Sequence, residues 1–195
     1  MHMGVEAIRE PGRREPAPEP LRLVQAFVNT RDIEAGTDEL TDPEALKTWL
    51  RRQGLPGAEE APTPGDLERV VAVREALRAL ALANNGEPLD PRVVEVLNGA
   101  AQRARLAVRF DGRGRGELVP VDRGVDGAIA RILAAVVRAM TEDTWSRVKA
   151  CRNHACGWVF YDRSRNRSGT WCTMAVCGNL MKARAYRARR AGGRT

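Results

Sequence analysis

All four cysteines of this 195-residue chain fall between Cys151 and Cys177. They form two pairs of equal spacing, Cys151-x4-Cys156 and Cys172-x4-Cys177, with fifteen residues between the pairs. Two close-set thiol pairs separated by a turn are what a closed tetrahedral zinc site requires. Each pair clamps one edge, and the loop lets the pairs meet at Zn–S distances of about 2.3 Å. The common zinc knuckle has two residues between its cysteines, so a gap of four weakens the generic match; pairing every cysteine of the chain strengthens it. Unrelated buried thiols would scatter, and disulfides are disfavoured in a reducing compartment. The expectation is one structural Zn2+ held by Cys151, Cys156, Cys172 and Cys177. His154 could replace Cys156, but the four-thiolate set is already complete, so it reads as a surface residue or a neighbour of the ligands.

Four thiolates leave no position for an activated water. The sequence around them offers no carboxylate pair and no Ser/His/Asp set, and Gly112-x-Gly114-x-Gly116 reads as a hairpin turn rather than a phosphate loop. The chain is therefore not expected to be an enzyme.

Charge divides the chain in the same place. It carries 32 basic and 25 acidic residues, a net charge of +7. From Ser146 to Thr195 there are 12 basic residues and a single acid, Asp162, which leaves the preceding 145 residues net acidic. An acidic body with a cationic end predicts a polyanionic partner for that end. The longest apolar runs, such as 132–137, are far shorter than the ~20 residues that span a bilayer. No apolar segment near the start suggests secretion, so the chain is expected in the cytoplasm, without a membrane partner.

Residues 1–19, with four prolines among positions 11–20, read as a flexible arm. Residues 20–145 read as a helical domain, for ligand sensing or dimerisation, and 146–195 as the zinc finger. Helical spacing predicts helices over 20–30, 41–52 (starting Thr41-Asp42-Pro43) and from a cap at Asp66 to Asn84-Asn85-Gly86. Asp90-Pro91 opens another helix, with Val93, Val94, Leu97 and Ala101 inward, and a last one covers 123–141 with Met140 inward. Leu106–Phe110 and Glu117–Val121 read as a hairpin. The fold class is thus mainly α with a small β-hairpin, followed by a treble-clef-like or ribbon-like four-cysteine finger. In so short a module the metal replaces the hydrophobic core.

Within the finger, 157–161 alternates like a strand, Arg163, Arg165 and Arg167 crowd a turn, and 178–190 reads as a basic helix. Leu180, Arg184 and Arg187 share one helical face; Lys182, Tyr186, Arg189 and Arg190 lie around another. Ordinary solvated faces mix signs, and this one has no acid after Asp162. Arg163, Arg165, Arg167, Asn179, Lys182, Arg184, Arg187 and Arg190 are the candidate nucleic-acid contacts.

These residues resemble the bacterial CGNR zinc-finger family. The likeness rests on Phe160-Tyr161-Asp162-Arg163-Ser164-Arg165-Asn166, Trp171-Cys172-Thr173-Met174, Cys177-Gly178-Asn179, Lys182 and Tyr186-Arg187-Ala188-Arg189. Phe27-Val28-Asn29-Thr30-Arg31-Asp32 and Val73-Arg74-Glu75-Ala76-Leu77-Arg78 are similar to the ABATE domain that precedes this finger. The resemblance covers roughly residues 20–190 and implies a stress-related bacterial transcription regulator with zinc-dependent nucleic-acid binding. One letter departs: the signature's arginine is Leu180. That removes a guanidinium contributing about 1–3 kcal/mol if it read a guanine through two hydrogen bonds. Leu180 either packs against the body or touches a thymine methyl.

In the body, Asn29, Thr30, Arg31, Trp49, Arg74 and Arg78 could line a pocket for an anionic small-molecule effector. The alternative is a capped helix end with surface arginines paired to Glu68, Glu75 or Asp66. The expected function is a DNA-binding transcription regulator acting on double-stranded DNA, with a homodimer or a contact to RNA polymerase possible. An RNA-binding zinc-ribbon protein stacking bases on Trp158, Tyr161 or Trp171, or a docking module on the transcription machinery, are the alternatives.

Overall fold

The computed structural model describes residues 14–192. Its helices are α1 (Leu21–Val28), α2 (Pro43–Arg52), α3 (Pro64–Ala83), α4 (Pro91–Arg103), α5 (Gly124–Thr141) and α6 (Asn179–Gly192). Three antiparallel strand pairs join them: β1 (Arg31–Asp32) with β2 (Thr37–Asp38), β3 (Leu106–Phe110) with β4 (Gly116–Pro120), and β5 (Val148–Ala150) with β6 (Val159–Tyr161).

Proline is the first residue of α2, α3 and α4, where its missing N–H is no loss. Asp42 and Asp90 cap α2 and α4 by accepting backbone N–H groups. The α3 cap is Thr63 rather than the expected Asp66, which answers it from the third helical position in a reciprocal capping box.

Val24, Phe27 and Val28 of α1, Leu46, Trp49 and Leu50 of α2, Val70, Val73 and Leu77 of α3, and Ile129, Ile132 and Val136 of α5 form the core. The rings of Phe27 and Trp49 meet at 5.4 Å between centroids. Each large side chain buried there contributes roughly 1.5–3 kcal/mol.

Two expectations fail at the margin. No residue of α4 is buried: Val94 is 43% exposed, and of the expected inward set Leu97 packs against the core only partly. Met140, near the end of α5, is exposed as well. The periodicity is present in both helices, but α4 rests on α3 and α5 without burying any residue of its own.

The finger does not sit apart from this core. β5 and β6 point alternate side chains to opposite sides. Val148, Ala150, Val159 and Tyr161 join the body's cluster, while Phe160 joins a second cluster around the cysteines. Residues 14–19, expected within the flexible arm, also pack. Ala17 is buried and its N–H donates to Gln25 Oε1 at 2.7 Å. Arg14 donates to the Cys172 and Trp171 carbonyls and lies 4.7 Å over the Phe160 ring. The first thirteen residues of the expected arm lie outside the described residues.

Candidate metal centre and nucleic-acid interface

The metal centre is built from two local turns. β5 delivers Cys151, and the Asn153 carbonyl then accepts from the N–H groups of Cys156 (2.8 Å) and Gly157 (2.9 Å), which closes the first turn. Gly157 has φ +57°, a backbone conformation that side chains strain, and a Cβ there would also press the Ile33 Cδ1 methyl at 2.7 Å. In the second turn the Thr173 side chain accepts from Val176 N–H at 3.1 Å. That caps a single π-helical turn, Met174–Gly178, which carries Cys177 and runs directly into α6.

All four sulfurs are buried and lie within 4.8 Å of one another, with Cys156–Cys172 and Cys172–Cys177 at 3.6 Å. Tetrahedral bonding at about 2.3 Å sets sulfurs roughly 3.8 Å apart, so the set already has the dimensions of a zinc sphere. Its electrostatics agree. Hydrogen bonds from the Cys156 and Cys172 thiols pull Cys151 down to about 2, while the Cys151 thiolate pushes Cys156 up to about 12 and Cys172 higher still. Thiolates this close repel one another, and a divalent cation among them would offset that repulsion. The four buried cysteines are able to bind one zinc ion, and four thiolates would leave its coordination complete. His154 is exposed and outside the cluster, so the first pair is completed by Cys156.

Behind the centre lies a buried ion pair that sequence reasoning missed. Lys149 Nζ sits 3.0 Å from Asp162 Oδ2, with side chains 5% and 2% exposed. The Asp162 carboxylate also accepts from Ser164 N–H (3.0 Å) and Gly169 N–H (2.7 Å), and Lys149 donates to the Arg167 and Gly169 carbonyls. Burial raises the Asp162 carboxyl, but these hydrogen bonds and Lys149 outweigh it and hold it at about 2. The pair fastens the 163–169 turn to β5. The only signal in the sequence was a lone acid within a cationic stretch.

The candidate nucleic-acid residues fall into two groups. In the turn, Arg163 donates to the Pro16 carbonyl at 2.9 Å and pairs with Glu15 at 3.3 Å. Arg167 pairs with Asp143 and donates to Ser146 Oγ, both at 2.7 Å. Those two cations are engaged within the chain, while Arg165 is exposed. On α6, Asn179, Lys182, Arg184, Arg187 and Arg190 are all exposed, and α6 contains no acidic residue. Leu180 is 37% exposed and belongs to neither apolar cluster, which removes the option that it packs against the body.

Residues 21–143 match the family model ABATE, described as a putative stress-induced transcription regulator, and residues 147–190 match the CGNR zinc finger. The chain belongs to the ABATE family and carries a CGNR zinc finger. No curated protein matches it. Both families are of regulatory or zinc-finger type rather than enzymes. Among the described residues no helix is long and apolar enough to cross a membrane.

Between the ABATE portion and the CGNR finger runs a polar seam, and it engages the residues expected to line an effector pocket. Asn29 Nδ2 donates to the Val159 carbonyl at 2.8 Å while its Oδ1 accepts from Val159 N–H at 2.9 Å, the pairing a neighbouring strand would give β6. Arg78 donates to the carbonyls of Gly157 (2.8 Å), Val28 (2.7 Å) and Arg31 (3.2 Å). Arg74, 1% exposed, forks onto Asp38 at 2.6 and 2.8 Å and reaches Thr30 Oγ1 at 3.2 Å. Arg31 approaches Glu75 at 3.9 Å, and Trp49 is core. Arg74 and Arg78, buried on α3, thus take carbonyl and carboxylate partners within the chain, and both also pair with Glu75, at 2.9 and 3.0 Å, as the alternative reading expected. A groove of about 360 Å3 does exist elsewhere, between α3, α4 and α5, over Val73, Val96, Ala100 and Ile129.

Proposed function

We propose that this protein is a DNA-binding transcription regulator whose CGNR finger presents α6 to double-stranded DNA. The observation that carries the reading is the charge of that helix. Lys182, Arg184, Arg187, Arg189 and Arg190 are exposed on it, and the one acid of the finger, Asp162, is buried against Lys149. An uncompensated cationic helix is the electrostatic footprint of a phosphate backbone. Zinc fixes its starting point through Cys177, so the metal aims the helix and takes no part in chemistry.

The RNA alternative finds less support. Its stacking platforms would be Trp158, Tyr161 and Trp171, of which the first two are buried and the third half-buried. Contact with RNA polymerase, a homodimer and a cytoplasmic location belong to the same proposal, and a regulator role is compatible with each.

The test is selection of binding sites by the zinc-loaded full chain from a random double-stranded pool, followed by affinity against salt. A defined site should emerge, with steep salt dependence. Arg184→Ala/Arg187→Ala should shallow the log–log slope by about 2. Equal binding of single-stranded RNA, or a slope unchanged by the double substitution, contradicts the reading.

A further inference from the structure

The π-helical turn that leads into α6 and the start of α6 itself each carry an exposed apolar side chain in line with the arginines of the helix. Val176 is 55% exposed and Leu180 37%, whereas Cys177 and Gly178 between them are buried on the metal side. Val176, Leu180, Arg184 and Arg187 follow one another at steps of four, four and three residues, the spacing of one helical face. Isolated exposed apolar residues are ordinary. Here two of them head a row that ends in guanidinium groups, on the part of the helix nearest the rigid metal centre.

We infer that Leu180, supported by Val176, reads the 5-methyl group of thymine in the DNA major groove. The inference deepens the DNA-binding proposal and rests on it. The major groove offers a protein one apolar group, the thymine methyl, amid hydrogen-bonding edges. Flanking phosphates supply the negative charge that Lys182, Arg184 and Arg187 complement. Phosphate contacts alone would leave Val176 and Leu180 without an apolar partner. In this reading the arginines fix the register, and the leucine end supplies the discrimination.

The experiment takes the site selected by the zinc-loaded full chain and replaces its thymines one at a time with deoxyuridine, which deletes only the methyl group. At one or two positions the unmodified protein should lose about fourfold in affinity, the effect of burying one such group. Leu180→Ala should bind the thymine and uracil sites equally, and Val176→Ala should show the intermediate pattern. Leu180→Arg should shift the selected base at that position from thymine to guanine. Zinc content and helical circular dichroism confirm that each variant is folded, which exposed positions permit. Loss on uracil substitution that is equal in Leu180→Ala, or absent in every protein, overturns this inference while leaving DNA binding intact. Binding without any selected sequence overturns it too, and no DNA binding at all overturns both readings.

Discussion

The ABATE body and the CGNR finger reach stability by different routes. The body buries a conventional core, with Phe27, Leu46, Trp49, Leu77 and Ile132 at its centre. The finger's own cluster is Cys151, Cys156, Trp158, Phe160, Cys172 and Cys177, with Trp171 against it, so most of its members are metal ligands. One half of the finger leans on the body instead, because β5 and β6 bury Val148, Ala150, Val159 and Tyr161 in the body's core. The finger is therefore two things at once: a hairpin docked by hydrophobic contact, and a turn and helix held by sulfur and charge.

The largest effect expected from that contrast is loss of the metal. Structural zinc contributes about 10–16 kcal/mol in isolated fingers. Cys177→Ser should abolish stoichiometric zinc and amide protection in α6 while the body still melts cooperatively. Protection of α6 surviving without zinc would break the comparison. Next comes the buried pair: Lys149→Ala leaves Asp162 uncompensated and should cost about 3–5 kcal/mol in urea unfolding. Asp162 is held below its ordinary 3.8, at about 2, so its contribution is complete above about pH 5 and is lost as the pH falls through 2. The gap between the unmodified protein and Asp162→Asn should narrow over that range; a gap independent of pH would contradict the ionised pair.

Asn29→Ala should cost less, about 1–3 kcal/mol, by orphaning the Val159 peptide. It should also loosen β6 before the body, seen by hydrogen exchange; uniform loosening would mean the two regions are one unit. Smallest on stability is Arg184→Ala, expected within about 0.5 kcal/mol because the side chain is exposed. A larger loss would show that α6 is held by its surface rather than by its metal-bound start.

The two regions also differed in how far their sequences could be read. Apolar periodicity located α2, α3 and α5, since burial there follows the helical repeat. Four evenly paired cysteines located the metal centre. The seam stayed hidden because its partners are distant: Asn29 meets Val159 across 130 residues and Arg78 meets Gly157 across 79. Locally, Asn29 looks like the end of a helix and Arg78 like a surface charge. β5 escaped because its middle residue, Lys149, reads as a surface cation and is instead buried on Asp162, a partner 13 residues away. In α4 the pattern was visible and misleading, as amphipathicity says which face is apolar and not how much of it is covered.

The central claim is that zinc orients α6 for DNA, and a metal titration of DNA binding tests it most directly. The selected duplex is held at fixed salt with chelator-stripped full chain, and Zn2+ is returned stepwise. Binding should be lost on stripping and recover fully at one zinc ion per chain, while the body's melting transition persists throughout. Undiminished affinity of the stripped chain for that duplex would contradict the account.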